Sequence, residues 1–238
     1  MVLAWKQQHN VFTIGTGATF MQVCFSEEGT LMQFESPAGF EHLRAGGSGE
    51  GYALCSRTGV HGFAASVAED GFGPPTSTQP GGPGTFPLTS TRTTTDGIFQ
   101  LTQTFSRDSS QLALILSMTL KTLSSVAQSS VQLSRYFHGA LDNDAGDDKY
   151  SRTPDTVVGK ESYGVMLTAQ TFGTGHTIAG EKFQDWTSAS GGGTARGCTA
   201  IGQPTPTAPG DFVGRVTYNL GTINPGSSKT VKMVYRRF

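Results

Sequence analysis

The chain has 238 residues, 36% of them hydrophobic and only 15% charged, with 17 basic against 18 acidic side chains. A formal net charge of −1 supplies no steering field of either sign, which argues against nucleic acid and anionic membrane as partners. With 15 Phe, 6 Tyr and 2 Trp, the chain carries too much apolar surface to stay unfolded. Thr, Ser, Gln and Gly take the place of the missing charge, a mixture that suits strands with one wet face joined by many turns. Long surface helices normally need Glu, Lys, Arg and Ala.

From the N-terminus, Met-Val-Leu-Ala-Trp-Lys-Gln-Gln-His carries no apolar run of the signal-peptide kind. Val11–Ile14 then leads through Gly15-Thr-Gly into Phe20–Phe25. Ser26-Glu-Glu-Gly turns the chain back into Thr30–Phe34, a β-hairpin pattern. Pro37 to Gly51 is irregular, and Tyr52–Cys55 is a short strand. Between Gly71 and Pro87 lie Pro74, Pro75, Pro80, Pro83 and Pro87 with five glycines, which leaves no room for a helix or a central strand. This stretch (71–87) is a surface loop inside one domain covering 1–238, because the strands before it are too few for a sandwich of their own.

The centre carries the strongest periodicity. Phe99, Leu101, Gln103 and Phe105 alternate with Gln100, Thr102 and Thr104, and Leu112, Leu114, Leu116, Met118 and Leu120 repeat at period two. Gly97–Phe105, Leu112–Thr122 and Val126–Phe137 are therefore three long strands joined by short polar turns, each with one buried face. A helix over Leu112–Leu120 is the rival reading; the Ser and Thr content and the flanking strands favour β. Thr156–Gly159 and Gly164–Thr171 follow, then Gly191-Gly-Gly and a second Pro-rich loop (198–211). Phe212–Leu220 and Lys229–Phe238 enclose a turn with Pro225-Gly226 at its tip. Ten to fourteen strands, no βαβ alternation and no repeat define the expected class: all-β, a large two-sheet antiparallel sandwich with little helix.

Two stretches carry resemblances. The ending "YNLGTINPGSSKTVKMVYRRF" resembles the last hairpin of bacterial immunoglobulin-like sandwich modules. The central "LALILSMTLKTLSSVAQSSVQLSRYFHGALDND" is similar in cadence to the large sandwiches of the galactose-mutarotase-like, or supersandwich, class. Both imply a large sandwich often associated with carbohydrate, and neither transfers a catalytic residue.

Polar clusters mark the candidate sites. Asp142, Asp144, Asp147 and Asp148 offer hard oxygen ligands of the kind Ca²⁺ takes, although the loop departs from an EF-hand, with Gly146 where a ligand belongs and no Glu at the twelfth position. Its other reading is a solvated turn whose Asp side chains bond their own backbone. Arg135, Tyr136 and His138 stand directly before that loop, as a sugar pocket, an acid/base pair with a carboxylate, or an ion pair that pins the loop. Glu41, His42 and Arg44, with Glu50 and Tyr52, form a second cluster, and carboxylates from the two loops would face each other as in a glycosidase if the loops met. Trp186 is a candidate stacking platform. No glycine run has the context of a phosphate cradle, and the sequence around Ser48 does not match a nucleophile elbow.

The odd count of cysteines, Cys24, Cys55 and Cys198, leaves one bridge and three free thiols as equal alternatives. The expectation is a non-catalytic, carbohydrate-binding module, extracellular or at the cell surface with its leader outside this chain, the cytoplasm remaining open. A homo-oligomeric or multidomain assembly subunit and a saccharide-acting enzyme are the two alternatives.

Overall fold

The computed structural model describes residues 10–43, 49–65, 68–108, 111–143, 146–171, 173–182, 198, 209–210 and 212–238. Among these, seventeen strands form three antiparallel sheets. The smallest sheet holds β1 (Asn10–Ile14), β2 (Met21–Phe25) and β3 (Leu31–Glu35), in that order. A six-stranded sheet contains β4 (Glu50–Ser56), β5 (Gly59–Ala65), β6 (Glu69–Asp70), β11 (Gln128–His138), β15 (His176–Lys182) and β16 (Phe212–Ile223), ordered β15-β16-β11-β4-β5-β6. The eight-stranded sheet contains β7 (Thr76–Thr78), β8 (Leu88–Thr93), β9 (Phe99–Asp108), β10 (Ala113–Thr122), β12 (Lys149–Arg152), β13 (Thr156–Lys160), β14 (Gly164–Ala169) and β17 (Ser228–Arg237). Its order is β12-β13-β14-β17-β10-β9-β8-β7.

The period-two faces of the sequence become the core. Phe99, Leu101 and Phe105 of β9 point inward with Leu114, Leu116, Met118 and Leu120 of β10 and Val231, Met233 and Tyr235 of β17. Facing them from the six-stranded sheet are Val131, Leu133 and Phe137 of β11. The outer face of the six-stranded sheet is covered too: Cys198 packs on Ala53 and Phe63, and its sulfur is bonded to Cys55 of β4 across 143 residues of sequence. Cys24 is a free, buried thiol.

Pairing departs from the sequence reading at two places. β9 and β10 form the expected hairpin, but β11 crosses to the other sheet, between β16 and β4. Likewise β16 and β17 lie in different sheets, β17 pairing with β10 and β14. Alternation fixes which side of a strand is buried; it does not say whether the next strand lies beside it or across the core. The Pro-rich stretch 71–87 is mostly loop, with the short β7 at the outer edge of its sheet.

One polar network is enclosed where the three sheets meet. Glu50 of β4 and Arg135 of β11 are fully buried partners. Arg135 also donates to the side chain of Gln103 on β9 and to the carbonyl of Gly29, the latter at 2.9 Å. Tyr235 of β17 donates to Glu50 at 2.5 Å, and the amide of Leu31 on β3 does so at 2.7 Å. Burial works against the Arg135 charge, but the Glu50 carboxylate outweighs it and raises the guanidinium pKa above its ordinary value. Gly29 has φ +78°, and a Cβ there would lie 2.7 Å from the Gln103 amide nitrogen. Glycine is therefore the residue that lets this turn reach the network.

Glu50→Gln is expected to leave a buried, unpaired guanidinium and to cost about 3–5 kcal/mol of unfolding free energy, read from the denaturation midpoint. Denatured but unreduced protein should titrate as a single thiol, Cys24. Reduction of the Cys55–Cys198 bridge should lower stability by about 2–5 kcal/mol in the same denaturation assay.

Candidate functional site

The two loops singled out in the sequence do meet in space. Between β3 and β4 the chain passes Glu41, His42 and Leu43, and between β11 and β12 it passes Gly139 to Asp148. Leu43 and Gly139 form an antiparallel bridge, and the amide of Ala140 donates to the His42 carbonyl at 3.3 Å. Asn143 locks the contact: its amide donates to the Glu41 carbonyl at 3.1 Å, and its side-chain oxygen accepts from the Glu41 amide at 3.2 Å. Its side-chain nitrogen donates to the Gly39 carbonyl at 2.8 Å.

Asp142 and Asn143 both have positive φ, 54° and 73°, a conformation that short polar side chains tolerate. From there Asp142 reaches a third segment, the turn after β13. Its carboxylate accepts the amides of Ser162 at 2.8 Å and Tyr163 at 3.1 Å. The Tyr163 ring meets Phe40 edge-on at 4.9 Å and lies under the Arg237 guanidinium at 5.4 Å.

The functional side chains at this junction are spent on structure. One oxygen of Glu41 accepts three backbone amides, from Phe34, His42 and Leu43, at 2.8–3.1 Å. Burial nevertheless outweighs those hydrogen bonds and raises the Glu41 pKa to about 7. His42 is fully buried, its Nε2 2.5 Å from the Ser36 carbonyl. Burial pushes its pKa down, against the Ser36 carbonyl and the Asp142 carboxylate. His42 Nδ1 and Asp142 Oδ1 stand 3.8 Å apart, beyond a direct hydrogen bond.

Other expected ligand residues face elsewhere. Arg135 points into the core network described above, so it is not available to a ligand from solvent; the ion pair it makes is with Glu50 rather than with the acidic loop. Tyr136, on the opposite face of β11, is buried with Ala65 and Val213, and His138 is buried at the end of the same strand. Asp148 is buried and Asp147 is exposed. Among the described residues no three His, Cys, Asp or Glu side chains converge as cation ligands. Arg44, Asp144 and Trp186 lie outside the described residues.

Beside the junction opens a cleft of about 520 Å³ lined by Asp147, Lys149, Lys160, Glu161, Ser162 and Pro209. Lys149 and Lys160 are direct partners in the β12–β13 ladder, so the two cations stand together with acidic and hydroxyl groups around them. Such a wall can hydrogen-bond a polyhydroxylated ligand with donors and acceptors on all sides. Sequence reading missed it because β12 was not read as a strand. The acidic loop and the Lys-Glu-Ser-Tyr turn (160–163) then look unrelated until the ladder pairs them.

Comparison with solved structures places this architecture. A bacterial glucoamylase complexed with acarbose superposes over 98% of this chain with a TM-score of 0.66 and 10% identity. A putative aldose 1-epimerase from Escherichia coli K12 superposes over 96% of this chain and 99% of its own, with a TM-score of 0.56 and 10% identity. The chain shares the sandwich fold of these two proteins. A mutant of the heparan sulfate lyase HepC from Pedobacter heparinus shares it more distantly, at a TM-score of 0.50 over 98% of this chain and 36% of the lyase, with 7% identity. This chain spans about a third of the glucoamylase, 32% of its length. No family model matches the sequence, and no curated protein sequence matches it. Within the sandwich the cleft lies at the edge where β12 and β13 end the larger sheet. No helix among the described residues is long and apolar enough to cross a membrane.

The raised Glu41 pKa has a signed consequence. In the unfolded chain the carboxyl titrates near 4.5, in the folded chain near 7. The folded state thus holds the extra proton in that window, and stability falls as pH rises through it. The lowered His42 pKa acts oppositely, so the contribution of Glu41 is isolated by substitution. Glu41→Gln is expected to flatten the loss of stability between pH 5 and pH 7.5, read from urea midpoints of both proteins.

Proposed function

We propose that this chain is a non-catalytic carbohydrate-binding sandwich of an exported or surface protein, with its ligand in the cleft formed by Lys149, Lys160, Glu161 and Ser162. The observation that carries the reading is the glucoamylase superposition, in which nearly all of this chain corresponds to 32% of a longer polypeptide. On this reading the sandwich holds saccharide and the chemistry is done elsewhere. The junction supports the same reading, because Glu41 and Asp142 hold backbone amides in place of a substrate proton. The Cys55–Cys198 bridge supports an oxidising, extracytoplasmic setting.

The test is affinity electrophoresis through gels containing soluble starch, dextran or heparan sulfate, followed by titration calorimetry on the retarding polymer. Retardation by at least one polysaccharide is expected. Lys160→Ala with Glu161→Ala should weaken it about tenfold or more, as loss of charged hydrogen bonds predicts, with an unchanged melting temperature. Free migration in all three gels defeats the proposal.

A second reading, a stand-alone enzyme acting on a free sugar, draws on the near-equal lengths of this chain and the aldose 1-epimerase, 96% and 99% covered. Glu41, at about 7, has the acidity that acid/base work uses. Polarimetric mutarotation of glucose and galactose separates the two readings. The binding-module proposal expects the uncatalysed rate with and without the protein, and turnover that Glu41→Gln removes would establish the enzyme.

A further inference from the structure

Far from the cleft, at the β4–β5 hairpin, three side chains line up in a chain of short hydrogen bonds. Ser56 Oγ, at the end of β4, lies 2.7 Å from Nε2 of His61 on β5. His61 Nδ1 lies 2.6 Å from Oδ2 of Asp96, in the turn between β8 and β9 of the opposite sheet. The other oxygen of Asp96 accepts from the Thr94 hydroxyl at 2.6 Å and the Ile98 amide at 3.0 Å.

The backbone shows why His61 faces this way. Leu54 pairs with Gly62, yet the next residue, Cys55, pairs with Val60. His61 is thus the extra residue of a β-bulge, and a bulge re-aims the side chain it carries. The imidazole side chain is 4% exposed and its ring packs edge-on against Phe99 at 4.8 Å. Burial opposes the Asp96 charge, but hydrogen bonds from Thr94, His61 and Ile98 outweigh it and hold the carboxyl below its ordinary pKa. An ionised Asp96 accepts a hydrogen bond from Nδ1–H, which leaves Nε2 as the acceptor for the Ser56 hydroxyl. Ser56 itself is half-buried, on the edge of an exposed turn.

The geometry points to Ser56, His61 and Asp96 as a nucleophile, general base and orienting carboxylate for the hydrolysis of short-chain carboxylic esters. In the acylation step His61 Nε2 takes the hydroxyl proton as Ser56 Oγ bonds to the ester carbonyl carbon. The carbon–alkoxide bond then breaks, and His61 returns the proton to the departing alcohol. Water repeats the sequence on the acyl-serine, giving the carboxylic acid and free Ser56. The Thr58 amide donates to the nucleophilic oxygen at 3.2 Å, and the Thr58 hydroxyl lies 2.8 Å from that oxygen and 3.4 Å from His61 Nε2. After acyl attack the carbonyl oxygen lies two bonds from Ser56 Oγ, within reach of the same turn, whose Thr58 amide and hydroxyl are the donors nearest to its charge. His61 also walls a cavity of about 220 Å³, with Val60, Gly62, Phe63, Asp70 and Gly71. Its size fits an acetyl-sized acyl group. This site is separate from the saccharide cleft, and with it the non-catalytic reading given above applies to the cleft alone.

The experiment treats the folded chain with a fluorophosphonate probe, maps the adduct by peptide mass spectrometry, and follows p-nitrophenyl acetate hydrolysis in parallel. A phosphonylated Ser56 and hydrolysis above the buffer rate are expected. Ser56→Ala should return hydrolysis to that rate, and Asp96→Asn should lower it by ~100-fold or more, both without unfolding in circular dichroism. If Ser56→Ala fails to fold, labelling of the wild-type chain still decides, as does iodoacetamide trapping of Ser56→Cys. Wild-type protein that is folded and unlabelled, labelled at another serine, or as active after Ser56→Ala overturns the assignment and leaves the three side chains as a hairpin clamp.

Discussion

The buried ion pair of Glu50 and Arg135 is the contact on which the arrangement of the sheets depends. Each partner is taken wholly out of water, a loss that only good geometry and filled hydrogen-bonding capacity offset. The surroundings supply both: Tyr235 and Gln103 from the eight-stranded sheet, and the Leu31 amide and Gly29 carbonyl from the smallest sheet. The Tyr52 and Phe105 rings flank the guanidinium at 5.3 and 5.5 Å. Apolar packing alone would let sheets slide over one another at modest cost. A charge pair with six fixed neighbours has one acceptable position, so it sets the register between sheets that share no ladder.

A second buried arginine extends the principle outward. Arg92 of β8 donates to Glu69 at 2.7 Å and to the Gly73 carbonyl at 2.9 Å, with the Phe72 ring 5.2 Å below it. It thereby ties the Pro-rich loop to the sheet edge. Tyr52, whose hydroxyl donates to the Glu28 carbonyl at 2.8 Å, stands between the two arginines. The Pro-rich stretch after Asp70 is thus held by charge and hydrogen bonds to a strand.

Much of this was legible in the residues. The alternation through Phe99–Phe105 and Leu114–Leu120 marked both the strands and their buried faces, and Gln103 broke the apolar row at the place where Arg135 needed an acceptor. The Glu41 and Asp142 loops do meet, through the Leu43–Gly139 bridge and Asn143, but the two carboxylates there accept backbone amides. What the sequence could not convey was which sheet each strand joins, because β11 and β17 bury the same pattern wherever they pair. Nor could it show that Arg135 points inward, since an arginine in a strand is equally at home facing water. The short edge strands β12 and β7 carry too few apolar residues to stand out, and the cleft depends on β12. The bulge that turns His61 toward Asp96 is a two-against-one pairing across β4 and β5, invisible until register is known.

The bridge between Cys55 and Cys198 makes a covalent ring of everything from β5 through β15. A single backbone cut inside that ring yields two fragments that still travel as one molecule until a reductant is added. Nicking of the surface loops, including the Pro-rich stretch 71–87, thus severs the chain without releasing either half. Wherever proteases reach these exposed segments, damage to them is kept from becoming dissociation.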